Sequence, residues 1–199
     1  IDTSFTFKLK GTKLRYRYRI NAIGTKKRGD DSLQITIRTI PDDIPKKDDL
    51  GLEDEIWDNF VPSQGMVVVT GPTGSGKSTL LAACIREILE TPNMNKKIVT
   101  YEAPIEFTYD AIDSDSCIIS QTEVPNQIKD FNLGVEAAMR RKPNIILIGE
   151  ARDRETIENS VRAAQTGHLL YTTSHTNGVA ETIRRMINMY SAEERDSIL

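Results

Sequence analysis

The sequence predicts an α/β protein, a mostly parallel sheet with helices on both faces, preceded by part of a small α+β domain. Two patterns and a break between them predict it. From Gly65 onward, apolar runs of strand length alternate with amphipathic runs of helix length, as in a parallel sheet with helical crossovers. The first forty residues follow a period of two instead. Pro41 and Pro45 flank a charged stretch between these regions, which reads as a linker.

In the amino-terminal part, Phe5, Phe7 and Leu9 alternate with Thr6, Lys8 and Lys10. Leu14, Tyr16, Tyr18 and Ile20 then alternate with Arg15, Arg17 and Arg19. Such alternation puts the apolar side chains on one sheet face and the arginines on the other, where the plain reading is a solvated face. Residues 26–31 form a polar turn, and Leu33, Ile35 and Ile37 resume the pattern. Three strands bury little core alone, so residues 1–40 are expected to be the end of a small domain. Residues 41–64 are the expected linker and a short helix, with Leu52, Ile56 and Phe60 at intervals of four.

Residues 65–199 carry the α/β pattern. Strands are predicted at 66–70, 98–101, 117–120, 145–148 and 169–173, and helices at 77–89, 133–141, 154–166 and 179–189. Residues 145–148 are the most apolar run and predict a buried central strand. Ile183, Met186, Ile187 and Tyr190 fall on one side of the last helix. The chain starts at Ile1 in strand-like sequence and stops at Leu199 one turn into an apparent helix, so both ends read as cut.

The 199 residues are 38% hydrophobic and 28% charged, a balance that predicts a solvated globular protein. A net charge of −3 argues against a surface built to coat nucleic acid. Cys84 and Cys117 lie in apolar stretches without metal-ligand spacing and read as reduced core residues of a cytosolic protein. No apolar run approaches the ~20 residues that span a bilayer.

The chemistry begins at Gly71-Pro72-Thr73-Gly74-Ser75-Gly76-Lys77-Ser78, which satisfies G-x-x-x-x-G-K-[ST] at every required position. Glycines let the loop turn its backbone N–H groups toward phosphate oxygens, and the following helix adds partial positive charge there. Lys77 is expected to reach the β- and γ-phosphates of ATP, and Ser78 to place its hydroxyl on Mg²⁺. Thr79 follows one residue too late for the metal and supports the helix start at the same site.

Hydrolysis also needs carboxylates, for the metal's water shell and for the attacking water. Glu150 ends the run 145–148 after Gly149, at the usual place of the second nucleotide-binding motif. Glu102 and Glu106 flank Ala103-Pro104-Ile105 just after the strand 98–101. Both acidic sites thus follow strands, where ligands of a doubly wound sheet collect.

With these motifs in place, the sequence resembles the secretion ATPase superfamily, the hexameric motors of type II secretion, type IV pili and some type IV secretion systems. The likeness is strongest to the pilus-retraction branch and its type IVB secretion relative. It runs from Arg17-Tyr18-Arg19-Ile20-Asn21-Ala22 and Arg38-Thr39-Ile40-Pro41 through the phosphate loop. Thr100-Tyr101-Glu102-Ala103-Pro104-Ile105-Glu106-Phe107 resembles the aspartate box, and Gly149-Glu150-Ala151-Arg152-Asp153 the atypical metal-binding motif. Thr166-Gly167-His168-Leu169-Leu170-Tyr171-Thr172-Thr173-Ser174-His175-Thr176 resembles the histidine box.

The resemblance implies a RecA-like P-loop core behind part of a PAS-like domain, and a Mg²⁺-dependent ATPase that assembles as a homo-hexamer. It implies that Glu106 polarises water, that Glu150 serves the metal, and that His168 and His175 sense the γ-phosphate or couple hydrolysis to movement. Arg19 and Arg38 become arginine fingers toward a neighbouring subunit's nucleotide. The implied setting is the cytoplasmic face of a bacterial inner membrane, reached through components of a secretion or pilus machine and without direct nucleic-acid contact. Ala103 departs from the pattern, which has Asp there, and leaves the choice of base open between Glu102 and Glu106. Two other functions fit the same core: a nucleotide-gated docking subunit with little turnover, and a nucleic-acid translocase.

Overall fold

The computed structural model of the chain describes residues 2–8, 15–41 and 43–190. Leu9, Lys10 and Leu14 of the amino-terminal alternation, and the helix turn foreseen near Leu199, lie outside the described residues.

Strands β1 (Asp2–Lys8), β2 (Arg15–Lys27) and β3 (Asp30–Ile40) form an antiparallel sheet in sequence order. The polar turn contracts to Arg28 and Gly29, both at positive φ (55° and 91°), the geometry of a tight hairpin. The register opposes Phe5 to Tyr18, Phe7 to Tyr16 and Ile20 to Ile37, so the apolar residues share a face as the alternation predicts. Yet this is the exposed face: Leu33 is 60% and Ile37 61% accessible. On the opposite face Arg17 is buried, at 8% accessible, which corrects the expectation of a solvated arginine face. Its guanidinium donates to the carbonyls of Ile105 and Glu106 in the loop after the strand 97–102 of the second sheet.

The connecting segment packs on the main core. Ile44 and Trp57 are each 6% exposed, and Arg86 Nη1 donates to the Ile44 carbonyl. Helix α1 is short, Asp54–Asp58, and its buried residue is Trp57, whereas Ile56 is 41% exposed. The expected stripe of Leu52, Ile56 and Phe60 is therefore wrong at its centre. An indole covers far more apolar area than an isoleucine, and here it rests against Phe60, which stacks on Tyr171 at 6.2 Å.

The second sheet is parallel, in the order β4 (Gly65–Thr70), β8 (Leu169–Ser174), β7 (Ile145–Ile148), β5 (Lys97–Glu102) and β6 (Ile118–Glu123). Helices α2 (Lys77–Glu90), α3 (Phe131–Arg140), α4 (Arg154–Gln165) and α5 (Val179–Asn188) connect or follow these strands. Alternation along β7 divides the core: Ile145 and Leu147 join Leu81, Ile85 and Ile88 of α2, while Ile146 and Ile148 join Val135, Ala138 and Ala163 of α3 and α4. A β-carbon on Gly134 would lie 2.8 Å from the Tyr101 ring, so glycine is what lets α3 settle onto β5. Side-chain caps start two helices, Asp130 accepting from Leu133 N–H and Asp153 from Thr156 N–H.

This is the RecA-like α/β architecture foreseen, with its helices on both faces. The strand expected at 117–120 runs instead to Glu123, and the helix expected from Leu133 starts at Phe131. Among the described residues, no helix is long and apolar enough to cross a membrane.

Candidate functional site

The carboxyl ends of β4, β5, β7 and β8 converge on one cleft of about 610 Å³. From β4 comes the phosphate loop. Gly71 (φ 148°) packs so tightly that a β-carbon would sit 2.7 Å from Ser75 Oγ, and Gly76 opens α2 from the left-handed region (φ 85°). Thr73, Gly74, Gly76, Lys77, Ser78 and Thr79 line the cleft, and Gly71, Pro72 and Ser75 shape the loop behind them. The Lys77 ammonium donates to the carbonyls of Gly71 and Pro72, both at 2.9 Å, which holds it inside the loop's curve.

From β5 comes the acidic loop. Glu102 is half-buried, lines the cleft, and accepts from Thr100 Oγ1 at 2.6 Å and Gln121 Nε2 at 3.2 Å. Burial pushes its carboxyl above the ordinary value of 4.5, the two hydrogen bonds oppose the rise, and the charge of Glu106 adds to it. Glu106 is half-buried and lines the cleft. Both carboxylates line the cleft, and Glu102 is the one fixed by side-chain hydrogen bonds, from Thr100 and Gln121.

From β7 comes Glu150, which accepts from Arg152 Nη2 at 2.6 Å. This contact is the main reason the Arg152 guanidinium holds its proton more tightly than usual, against burial and the nearby Arg19. Gly149 is fixed by its N–H to the Tyr101 carbonyl at 2.8 Å and by its own carbonyl accepting from Thr173 Oγ1 at 2.7 Å. From β8 comes His175, whose Nδ1 lies 3.4 Å from both Lys77 Nζ and Thr73 Oγ1, and whose Nε2 lies 3.5 Å from Glu150 Oε2.

Arg19 reaches the same cleft from β2. Arg38, its register partner on β3, does not line it. The two arginines share a separate cavity of about 260 Å³ with Asn21 and Thr36. His168 is not brought to the site either. It precedes β8 at the opposite end of the sheet from Ser174, and its Nδ1 meets the Ala163 carbonyl at 3.1 Å and Thr166 Oγ1 at 3.3 Å. A six-residue strand of about 20 Å separates it from the phosphate loop. Gln121 and Glu123, which hold the acidic loop, stand outside every quoted motif, and Arg17, which also holds it, stands in one that is expected to be a solvated strand face. Arg152 and Thr173 stand inside quoted motifs, so their positions were visible although their contacts were not.

A glycine loop wrapped around a buried lysine, with carboxylates and a histidine ringed about it at strand ends, defines a phosphate-loop nucleotide-binding protein. The chain matches the Type II/IV secretion system protein family over residues 2–196 and belongs to it. It is 38% identical over 195 residues to the type IV pilus retraction ATPase PilT of Pseudomonas aeruginosa, covering 98% of this chain and 53% of that protein. It is 39% identical over 199 residues to a twitching motility protein of Neisseria gonorrhoeae, covering all of this chain and 50% of the relative. Among solved structures, the ATPase DotB of Legionella pneumophila superposes with a TM-score of 0.90 at 50% identity, over 99% of this chain and 53% of that one. The pilus retraction motor PilT with bound ADP gives 0.83 at 35% identity, over 99% and 54%. The chain thus spans about half the length of the relatives it matches.

Proposed function

We propose that this chain is the nucleotide-hydrolysing part of a ring-forming motor ATPase that powers type IVB secretion or pilus retraction. One observation carries the proposal: the phosphate loop, Glu106, Glu150 and His175 border a single cleft, with Arg19 reaching it from the first sheet. A pilus retraction motor of like fold was solved with ADP, which supports adenine nucleotide as the ligand. In this reading residues 1–40 end an N-terminal domain, residues 41–64 connect, and residues from 65 onward form the ATPase domain.

The loop amides and Lys77 bind the β- and γ-phosphates, and Ser78 and Thr79 close the site at the start of α2. Glu106 orients the attacking water and takes its proton. His175, held between Lys77 and Glu150, registers the terminal phosphate. In a homo-hexamer Arg38, which stands outside this chain's own cleft, supplies positive charge to a neighbouring subunit's nucleotide, and Arg19, which lines both this cleft and the cavity it shares with Arg38, can serve either nucleotide. An arginine used this way contributes about 10³–10⁵ in rate.

The donor set suits magnesium. The ion prefers oxygen ligands and keeps several waters, needing only one or two protein groups beside the phosphates. Ser78 Oγ and the Glu150 carboxylate both line the cleft and would hold it. When bound, Mg²⁺ neutralises charge that builds on the phosphates during transfer. The partners in this account are the components of a secretion or pilus machine at the inner face of the bacterial inner membrane, which keep the motor peripheral to the bilayer.

Ala103, exposed beside the cleft, favours a second reading as a docking subunit with little turnover, because a carboxylate is absent there. One experiment separates the two. Steady-state ATPase rates are measured for the full chain over a range of protein concentrations, together with Glu106→Gln. The motor predicts a specific rate that climbs as rings assemble and a loss of at least about 100-fold in the variant. Equal rates for both proteins would favour the docking subunit.

A further inference from the structure

The backbone that carries Glu106 is gripped from two directions. From β6, Gln121 Nε2 donates to the Phe107 carbonyl at 2.8 Å, and Glu123 Oε2 accepts from Ile105 N–H at 3.2 Å. Glu123 is 8% exposed, and the Ser4 hydroxyl of β1 also reaches it, at 3.0 and 3.1 Å. From the other direction β2 lays Arg17 on the loop. Its Nη1 donates to the Glu106 carbonyl at 2.9 Å and its Nη2 to the Ile105 carbonyl.

Ile105 is thereby pinned at its N–H by Glu123 and at its C=O by Arg17, and the next pinned carbonyl is that of Glu106 itself. A guanidinium is planar and its donors form a rigid fork, so two consecutive carbonyls are fixed in direction as well as distance. Bonds from a buried cation are also stronger than neutral ones. Had the first sheet merely needed anchoring, any carbonyl of the loop or of a strand end would have served. The two that Arg17 takes belong to the peptide units on either side of the Glu106 α-carbon, where they set the direction of its side chain.

We propose that Arg17 is the positioning residue for Glu106. Water activation in a subunit then requires that subunit's own first sheet to be seated on the acidic loop. The inference rests on the assignment of Glu106 as the water-orienting group. Ser4 and Glu123 form the secondary clamp. Arg17 thus differs in role from Arg19 two residues later on the same strand face: Arg17 works inside its own chain, through backbone, and does not line the cleft that Arg19 reaches.

The test is a double-mutant cycle in the full chain, with kcat for ATP and Kd for a fluorescent ATP analogue with magnesium as separate readouts. Arg17→Met should lower kcat about 10- to 100-fold, the scale of a misplaced reacting group, with Kd within about twofold of wild type. Arg17→Lys, which keeps the charge without the fork, should recover part of the rate. In the Glu106→Gln background, Arg17→Met should cost nothing further, because groups that act as a unit are not additive. Should Arg17→Met fail to fold, Arg17→Lys and Ser4→Ala run through the same cycle, with smaller losses that again vanish in Glu106→Gln. An unchanged kcat in Arg17→Met beside an active wild type would overturn the inference, as would equal losses in both backgrounds. A Glu106→Gln protein as active as wild type would instead strike the assignment of Glu106, and the inference with it.

Discussion

His175 bridges Lys77 and Glu150: its Nδ1 stands 3.4 Å from the Lys77 ammonium and its Nε2 3.5 Å from the Glu150 carboxylate. An ammonium only donates, so Nδ1 is the acceptor and the ring proton belongs on Nε2, facing the carboxylate. One ring therefore joins the phosphate-loop lysine to the carboxylate proposed for the metal. Replacing His175 with Ala should lower kcat about 10- to 100-fold through lost positioning, with nucleotide Kd within about threefold. Steady-state kinetics beside equilibrium titration check this, and a Kd loss as large as the kcat loss would make His175 a plain binding group.

Glu102 supplies a pH-dependent prediction. Its folded carboxyl titrates above its ordinary value because burial penalises the anion. The folded state thus holds the proton more tightly than the unfolded chain. The stability this adds is complete below the ordinary value of 4.5 and disappears as pH rises through the folded value. Glu102→Gln keeps an oxygen for Thr100 and carries no charge, so its Tm advantage over wild type should be near zero at pH 4 and grow toward pH 8. Thermal unfolding across that range measures it, and an advantage that shrinks with pH would contradict the sign.

Trp57 tests the packing of the connecting segment. Its ring is buried against Phe60, and its indole N–H, also buried, has no hydrogen-bond partner among the described residues. Trp57→Ala should destabilise by about 3–5 kcal/mol. Trp57→Phe keeps an aromatic body and removes an unsatisfied donor, and should cost less than about 1.5 kcal/mol. Urea unfolding with matched m-values distinguishes them.

Cys84 should be chemically silent in the native protein. Burial pushes its thiol up to about 12, and the thiol is bonded to the Tyr171 hydroxyl at 3.6 Å. A disulfide-exchange reagent at pH 8 should label neither Cys84 nor Cys117, which is also buried, until urea is added. Rapid labelling of Cys84 in the folded protein would contradict this environment.

Much of this architecture is legible in the residues, for unequal reasons. The phosphate loop is spelled by residue identity, because only glycine tolerates Gly71's contact with Ser75, and identity is what a sequence displays. Strand β7 is legible because all four of its residues are buried apolar ones. Strand β6 was cut short because Gln121 and Glu123 look like loop residues, although both side chains are spent on fixing the neighbouring acidic loop. Periodicity could group Phe5, Tyr18 and Ile37 on one face of the first sheet, but it carries no information on which face meets the rest of the protein. That is why the alternation alone predicts a solvated Arg17. His168 shows the converse limit: a motif that is continuous in sequence spans both ends of β8, and the phosphate loop stands at only one of them.

The central claim is that the backbone between Gly71 and Ser78, with Lys77, cradles the phosphates of ATP. Titrating a fluorescent ATP analogue with magnesium into Lys77→Ala and into wild type tests it most directly. The account predicts that the variant's affinity falls by at least about tenfold and its turnover disappears. A variant that binds and hydrolyses like the wild type would contradict it.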